Sequence, residues 1–229
     1  AGGGPGTGES YVLLKTLNGS ASSTSSATST VAGFESGENI SDAPNSTYYG
    51  FRAGKATTGG ENCTAIGSNA LLANTSGHYQ VAIGSDALKA NTTGGGNTAV
   101  GPNALQSNVS GASNTAVGKE ALQSNTASNN VAVGVEALRR NTSGTRNTGL
   151  GYYALNNNTT GDDNLAIGYE AAHLITTGTG NTAIGFDSMK NLVSGSGNVA
   201  IGYEAAEGFE NGETGNIAIG FEAMATADE

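Results

Sequence analysis

Short apolar triplets punctuate this chain at a fixed interval, with polar residues and glycine filling the space between. A triplet of the form Ala-Ile-Gly or Ala-Val-Gly, usually preceded by Asn-Thr or Asn-Val, places its glycine at Gly67, Gly84, Gly101, Gly118, Gly134, Gly151, Gly168, Gly185, Gly202 and Gly220. The spacings are 17, 17, 17, 16, 17, 17, 17, 17 and 18 residues. Stepping back by 17 reaches Gly50 and Gly33, where the flanks have drifted, so about twelve units are present. A fixed period of this size is the signature of a repeat architecture.

The consensus unit reads Asn-Thr-Ala-Ile-Gly-x-x-Ala-Leu-x-x-Asn-Thr-Ser-Gly-x-x. Each apolar stretch is about nine residues, and an isolated helix that short is marginal. Two glycines per unit argue further against helix. Two short strands fit better, Thr-Ala-Ile before the first glycine and x-Ala-Leu after it. The glycines then sit where the chain bends or takes positive φ. One unit becomes one coil, stacked on the next at about 4.8 Å. This predicts an all-β, parallel β-solenoid of about twelve 17-residue coils over residues 33–229.

Stacking turns equal positions into columns. Four residues before the glycine, Asn97, Asn114, Asn130, Asn147, Asn164, Asn181, Asn198 and Asn216 form one column. A buried Asn there would donate to a carbonyl of one neighbouring coil and accept from the other, satisfying groups that otherwise cost about 1–3 kcal/mol each. The Ile/Val column and a Leu column (Leu71, Leu88, Leu105, Leu122, Leu138, Leu155) are expected to fill the interior, with Ala columns allowing close backbone approach. Cys63 replaces the ladder Asn and reads as a small buried residue.

Residues 1–32 differ. Ala1–Ser10 is Gly-rich and reads as a flexible junction, and Ser20–Thr30 as an extended Ser/Thr tract. Tyr11–Leu17 is one conventional apolar strand, expected to cap the open end of the solenoid or dock to it, with membership of an upstream domain as the alternative.

Composition narrows the function. The chain has 229 residues, 37 glycines and no tryptophan, and carries 12% charged residues and a net charge of −10. Nothing resembles the basic stripe of a nucleic-acid binder or of a protein drawn to anionic lipid. One cysteine excludes a disulfide framework and a Cys-based zinc site. No apolar run approaches the 18 or so residues of a membrane span. An opening Ala points to excision from a longer polypeptide. One Ile, one Leu and two Ala per coil bury little apolar surface against the entropy of ordering seventeen residues. Lateral association of several chains, threefold for a fibre, would supply the rest.

Asn-Thr/Val-Ala-Ile/Val-Gly-x-x-Ala, as at Asn97–Ala104 and Asn198–Ala205, resembles the head-domain repeats of trimeric autotransporter adhesins. Asn147–Gly161 is closer still to the Asn-Thr-Ala-Ile-Gly-x-x-Ala-Leu-x-x-Asn-Thr-Thr-Gly repeats of bacteriophage tail fibres. The resemblance covers roughly residues 45–224. It implies a homotrimeric, left-handed parallel β-roll on a virion or outside a cell, serving adhesion or receptor contact.

Candidate chemistry is sparse. His78 and His173 lie 95 residues apart at non-equivalent positions, without a paired nucleophile. Asp162-Asp163 reads as a solvated loop. Two residues after the glycine, acids stack at Asp86, Glu120, Glu136, Glu170, Asp187, Glu204 and Glu222. Their repulsion, about 1 kcal/mol per pair in water, predicts a solvated face or a cation-binding one. One position earlier, Tyr152, Tyr169, Phe186, Tyr203 and Phe221 form an aromatic column that would pack structurally, meet another chain or stack on sugars. Sequons at Asn18, Asn45, Asn62, Asn74, Asn91, Asn108, Asn141, Asn157 and Asn158 follow mostly from the repeat's turn.

These residues predict no catalysis, cofactor or metal. They predict a structural or adhesive fibre segment whose partners are further copies of itself and a cell-surface glycan or protein receptor, without nucleic acid or membrane insertion. A phage tail fibre leads. A bacterial trimeric adhesin head or extracellular filament is the alternative, and an ice-binding solenoid a lesser one. The last needs an unbroken Thr column, yet the position before Ala reads Thr98, Thr115, Val131, Thr148, Leu165, Thr182, Val199, Ile217.

Overall fold

The computed structural model describes residues 14–18 and 28–225. Its strands are β1 (Leu14–Asn18), β2 (Thr28–Ala32), β3 (Thr47–Tyr49), β4 (Thr64–Ile66), β5 (Val81–Ile83), β6 (Thr98–Val100), β7 (Thr115–Val117), β8 (Val131–Val133), β9 (Thr148–Leu150), β10 (Leu165–Ile167), β11 (Thr182–Ile184), β12 (Val199–Ile201) and β13 (Ile217–Ile219). They form one sheet in sequence order. From β2 onward every neighbour is parallel and in register, with Ala82 beside Ala99 and Ala99 beside Ala116. The chain is therefore a parallel β-solenoid of twelve rungs joined by eleven complete coils, with no helix among the described residues. β1 pairs antiparallel with β2, Leu14 opposite Ala32. The expected strand thus covers Leu14–Asn18, and Tyr11–Leu13, Ala1–Ser10 and residues 19–27 lie outside the described residues.

Each coil carries one strand of three residues, not the two strands that the apolar pattern predicts. After the glycine the chain turns twice. Ala87 N–H donates to the Gly84 carbonyl (3.4 Å) and Asn91 N–H to the Leu88 carbonyl (3.1 Å). The first turn holds its third residue at positive φ, as at Asp86 (57°) and Glu120 (58°), the type II signature. The leucines themselves are left-handed, Leu88 at 49° and Leu105 at 51°, a conformation that costs a bulky residue. Hydrogen bonds to the next coil hold them there: Leu88 N–H donates to the Ala104 carbonyl at 3.0 Å and Leu105 N–H to that of Ala121 at 3.0 Å.

The interior differs from expectation at the Ile/Val column. With a three-residue strand, side-chain alternation sends only the middle residue inward. Ala65, Ala82, Ala99 and Ala116 are fully buried, whereas Ile66 is 38% and Val133 40% exposed. The Ile/Val residues are an outer face. Leu71, Leu88, Leu105, Leu122, Leu138 and Leu155 fill the core with the two Ala columns.

Glycine recurs for two reasons. The strand-end glycines take φ near +135°, as Gly118 does at 136°, and a Cβ on Gly118 would lie 2.4 Å from the Gly134 carbonyl oxygen. The second glycine column does not bend at positive φ, apart from Gly212 at 88°. There room is short: a Cβ on Gly111 would meet the Ala127 carbonyl oxygen at 2.1 Å and Asn108 Oδ1 at 2.4 Å, and the side chain that takes this place at Ala43 and Ala127 is only a methyl.

Candidate functional site

Asn97, Asn114, Asn130, Asn147, Asn164, Asn181 and Asn198 are buried in one column, with Asn216 half-buried at its end. Each Oδ1 accepts the backbone N–H of the next member: Asn114 N–H reaches Asn97 at 3.0 Å, Asn130 N–H reaches Asn114 at 2.9 Å, and Asn216 N–H reaches Asn198 at 3.0 Å. From Asn97 to Asn198 each Nδ2 donates to the carbonyl of the second-glycine position one coil on, such as Asn97 to Gly111 and Asn147 to Gly161. Toward the N-terminus the column is completed by residues outside the Asn consensus. Ser29 Oγ accepts Ser46 N–H, Ser46 Oγ accepts Cys63 N–H, and Gln80 Oε1 accepts Asn97 N–H. Cys63 is buried, its Sγ within 3.3 Å of the Glu61 and Gly77 carbonyls, and burial pushes its thiol up to about 11.

A second ladder escapes a reading that treats Asn-Thr-Ser-Gly only as a turn. Asn91 Nδ2 donates to Asn74 Oδ1 (2.9 Å), Asn108 to Asn91 (2.9 Å), Asn141 to Asn125 (2.7 Å) and Asn158 to Asn141 (2.8 Å). It breaks between Asn108 and Asn125, in the unit one residue short. Its signal in the sequence is Asn recurring seven residues after the strand-end glycines from Gly67 to Gly151. Beyond Asn158 the same column becomes Ile175, Leu192 and Phe209, all buried.

The aromatic column is a continuous offset stack. Ring centroids are 5.2 Å apart for Tyr152–Tyr169, 5.0 Å for Tyr169–Phe186, 5.2 Å for Phe186–Tyr203 and 5.2 Å for Tyr203–Phe221, with planes within 8–10°. Rings lying side by side in one plane could not approach so closely. Their faces are turned to one another, and no sugar can lie between them. Ring edges are what the surface presents, with Tyr169 43% exposed and Phe221 71%. Phe34 and Phe51 form a separate stacked pair at 5.8 Å in the same column.

The acid column is not simply solvated. Its side chains from Asp86 to Asp187 are 11–23% exposed where paired, and bases bridge consecutive coils. Arg139 joins Glu120 and Glu136, both at 3.1 Å, and Lys190 joins Glu170 (2.8 Å) and Asp187 (3.0 Å). Lys190 holds the Glu170 carboxyl below its usual range, against an opposing effect of burial. Hydrogen bonds to Glu170 and Glu204 raise the phenols of Tyr169 and Tyr203. Tyr153, standing in for an acid, is pushed up to about 12 by its hydrogen bonds to Tyr152 and then Glu136. Glu204 and Glu222 have no such base, since residues 191–229 contain no Lys or Arg. Among the described residues no three His, Cys, Asp or Glu side chains are grouped to hold a metal ion.

The two histidines do not meet. His78 Nδ1 accepts the Glu61 N–H at 3.2 Å, whereas His173 lies against Tyr153, centroids 5.7 Å apart. Asp163 pairs with Arg146 (2.6 Å), and Asp162 accepts the Thr145 N–H (2.6 Å). No protein-family model, curated protein sequence or solved structure matches this chain.

Proposed function

We propose that this chain is a structural and adhesive fibre segment of a bacteriophage tail fibre, non-catalytic, exposed on a virion or outside a cell. It works as a homotrimer, three rods packed side by side, and presents side-chain columns to a receptor. One observation carries the reading: an apolar sheet face that one chain leaves half-exposed along its whole length. Ile66, Ile83, Val117, Val133 and Ile219 are all at least 36% exposed on it. An apolar face continued over eleven rungs, from Tyr49 to Ile219, exceeds the patches that single soluble chains leave uncovered. Straight, in-register columns suit a neighbour with the same repeat, because every rung then meets an equivalent one. The resemblance of Asn147–Gly161 to tail-fibre repeats supports the phage assignment over a bacterial adhesin head.

Native mass spectrometry tests the association. A trimer is expected, and Val117→Lys with Val133→Lys, both outside the core, should convert it to folded monomer. A wild-type chain that stays monomeric at tens of micromolar would remove the reading's main support. Immunogold labelling of virions against bacterial surfaces separates the phage reading from the adhesin one.

A further inference from the structure

The face formed by the ring column and the carboxylates beside it repeats one chemistry coil after coil. Its rings advance by 5.0–5.2 Å per coil and turn by only 8–10°. From Tyr169 onward phenol and phenyl alternate: Tyr169, Phe186, Tyr203, Phe221. Tyr169 and Tyr203 each stand beside the acid that follows, Glu170 and Glu204, whose proximity raises the phenol. Each such pair is a donor–acceptor unit at the surface, and the two pairs stand two coils apart. Lys190 is the only Lys or Arg on this stretch.

We infer that this face is a track for one extended β-1,4-linked glycan chain, uncharged or bearing amino groups, lying along the rod with one sugar per coil. The inference rests on the reading of the rod as a contact fibre. A β-1,4-linked chain of glucose-type sugars advances per residue by nearly the inter-rung spacing of a sheet, about 4.8 Å. Successive sugars are flipped, so one edge of the chain returns at every second residue, as the phenol–carboxylate pairs do. Hydroxyls on that edge donate to the phenol oxygens of Tyr169 and Tyr203 and to Glu170 and Glu204, the latter charge-assisted bonds stronger than neutral ones. The sugars between them lie against the edges of Phe186 and Phe221. Unpaired Glu204 and Glu222 repel uronates, sialylated and phosphorylated chains. Because every coil repeats the contact, each further sugar binds as an intramolecular event and affinity grows with length.

The test titrates the intact chain with cello-oligosaccharides of two to six units and with malto-oligosaccharides of equal length, by calorimetry. Both are glucose; only linkage, and so advance per residue, differs. The cello series should tighten about threefold for every second unit added, one modest hydrogen bond per pair engaged, and level off near five units. The malto series should stay flat. Tyr169→Phe with Tyr203→Phe, which keeps the stack, should weaken the longest cello-oligosaccharide about tenfold at unchanged circular dichroism. Equal binding of both series, no dependence on length, or an unaffected Phe pair overturns the track. A trimer that ignores every oligosaccharide defeats this inference alone; a monomer that binds them defeats the trimer instead.

Discussion

Asn158 Nδ2 donates to Asn141 Oδ1 at 2.8 Å, while the buried Oδ1 of Asn158 receives no hydrogen bond. The next residue of the column is Ile175, which has no donor to offer. Asn108 stands in the same position at the other break, its Oδ1 also unpaired beside the shortened coil. Each run of the ladder therefore ends on one buried, unsatisfied acceptor.

This makes ladder positions unequal. Asn141→Leu leaves one buried Asn158 amide N–H without its acceptor, the Gly161 carbonyl keeping the other, and takes from Asn125 Oδ1 one of two donors, Asn130 Nδ2 remaining. It should cost about 2 kcal/mol, one unsatisfied group at 1–3 and one lost hydrogen bond. Asn158→Leu removes one orphaned acceptor, creates one at Asn141 and adds apolar contact toward Ile175. Its cost should be within about 1 kcal/mol of zero. Urea denaturation followed by circular dichroism ranks the two, and equal losses would mean that the ladder's order does not matter.

Glycines should divide just as sharply. Gly185 holds φ 139°, and a Cβ there would lie 2.1 Å from the Gly202 carbonyl oxygen. Gly180 holds φ 65° with nothing within 4 Å, and the equivalent residues Arg146 and Asp163 adopt 56° and 60°. Gly185→Ala should lose more than about 4 kcal/mol or unstack the adjoining coils. Gly180→Asn should be neutral to about 0.5 kcal/mol. Melting temperatures of the two variants decide it.

The solenoid itself was legible because identical residues recur at one period, which only stacking explains. Which apolar residues face inward was not. Reading Ile and Val as core assumes that hydrophobicity decides direction, whereas strand length decides it here: a three-residue strand has one inward position, and where a buried Leu lies opposite it, as from Leu71 to Leu138, the space takes Ala. Left-handed Leu88 and Leu105 also run against local propensity and are held by coil-to-coil hydrogen bonds that no local pattern encodes. Asn74 and Asn91 were visible as a column but shared their letters with a common turn and sequon. Ser46, Cys63 and Gln80 interrupt the first ladder's identity while keeping its place, so only geometry reveals them as members.

The sequons separate by burial. Asn74, Asn91, Asn108, Asn141 and Asn158 are fully buried with amides bonded inside the rod, whereas Asn45 and Asn62 are exposed. A glycan on a buried ladder amide would prevent coil closure. When the chain passes through a glycosylating secretory pathway, the folded fraction should carry glycans at Asn45 and Asn62 and none at those five. Peptide mapping of protease-resistant material checks this. Occupancy at Asn91 or Asn141 in folded protein would contradict the buried ladder.

The Lys190 bridge gives stability an acid limit of defined sign. Glu170 has its folded pKa lowered, first by Lys190. Its contribution is therefore full above the ordinary carboxylate value, about 4.3, and is lost as pH falls through the folded value. Lys190 is raised by the same pair; its contribution is full below about 10.4 and is lost only in stronger alkali. Wild-type melting temperature, so far as this bridge sets it, should be flat from about pH 5 to 10 and fall below that window. Lys190→Met leaves Glu170 and Asp187 facing each other, since both reached the same Nζ at 2.8 and 3.0 Å. The Asp187 charge then raises the Glu170 pKa, and a raised carboxylate contributes stability that is lost as pH rises. The variant should lose about 1 kcal/mol at pH 7, the bridge being partly exposed, and should become more stable on acidification from pH 7 to 4. Thermal melts across that range should show opposite slopes for the two proteins below about pH 5; parallel slopes would mean that Lys190 is not what holds these carboxylates ionised.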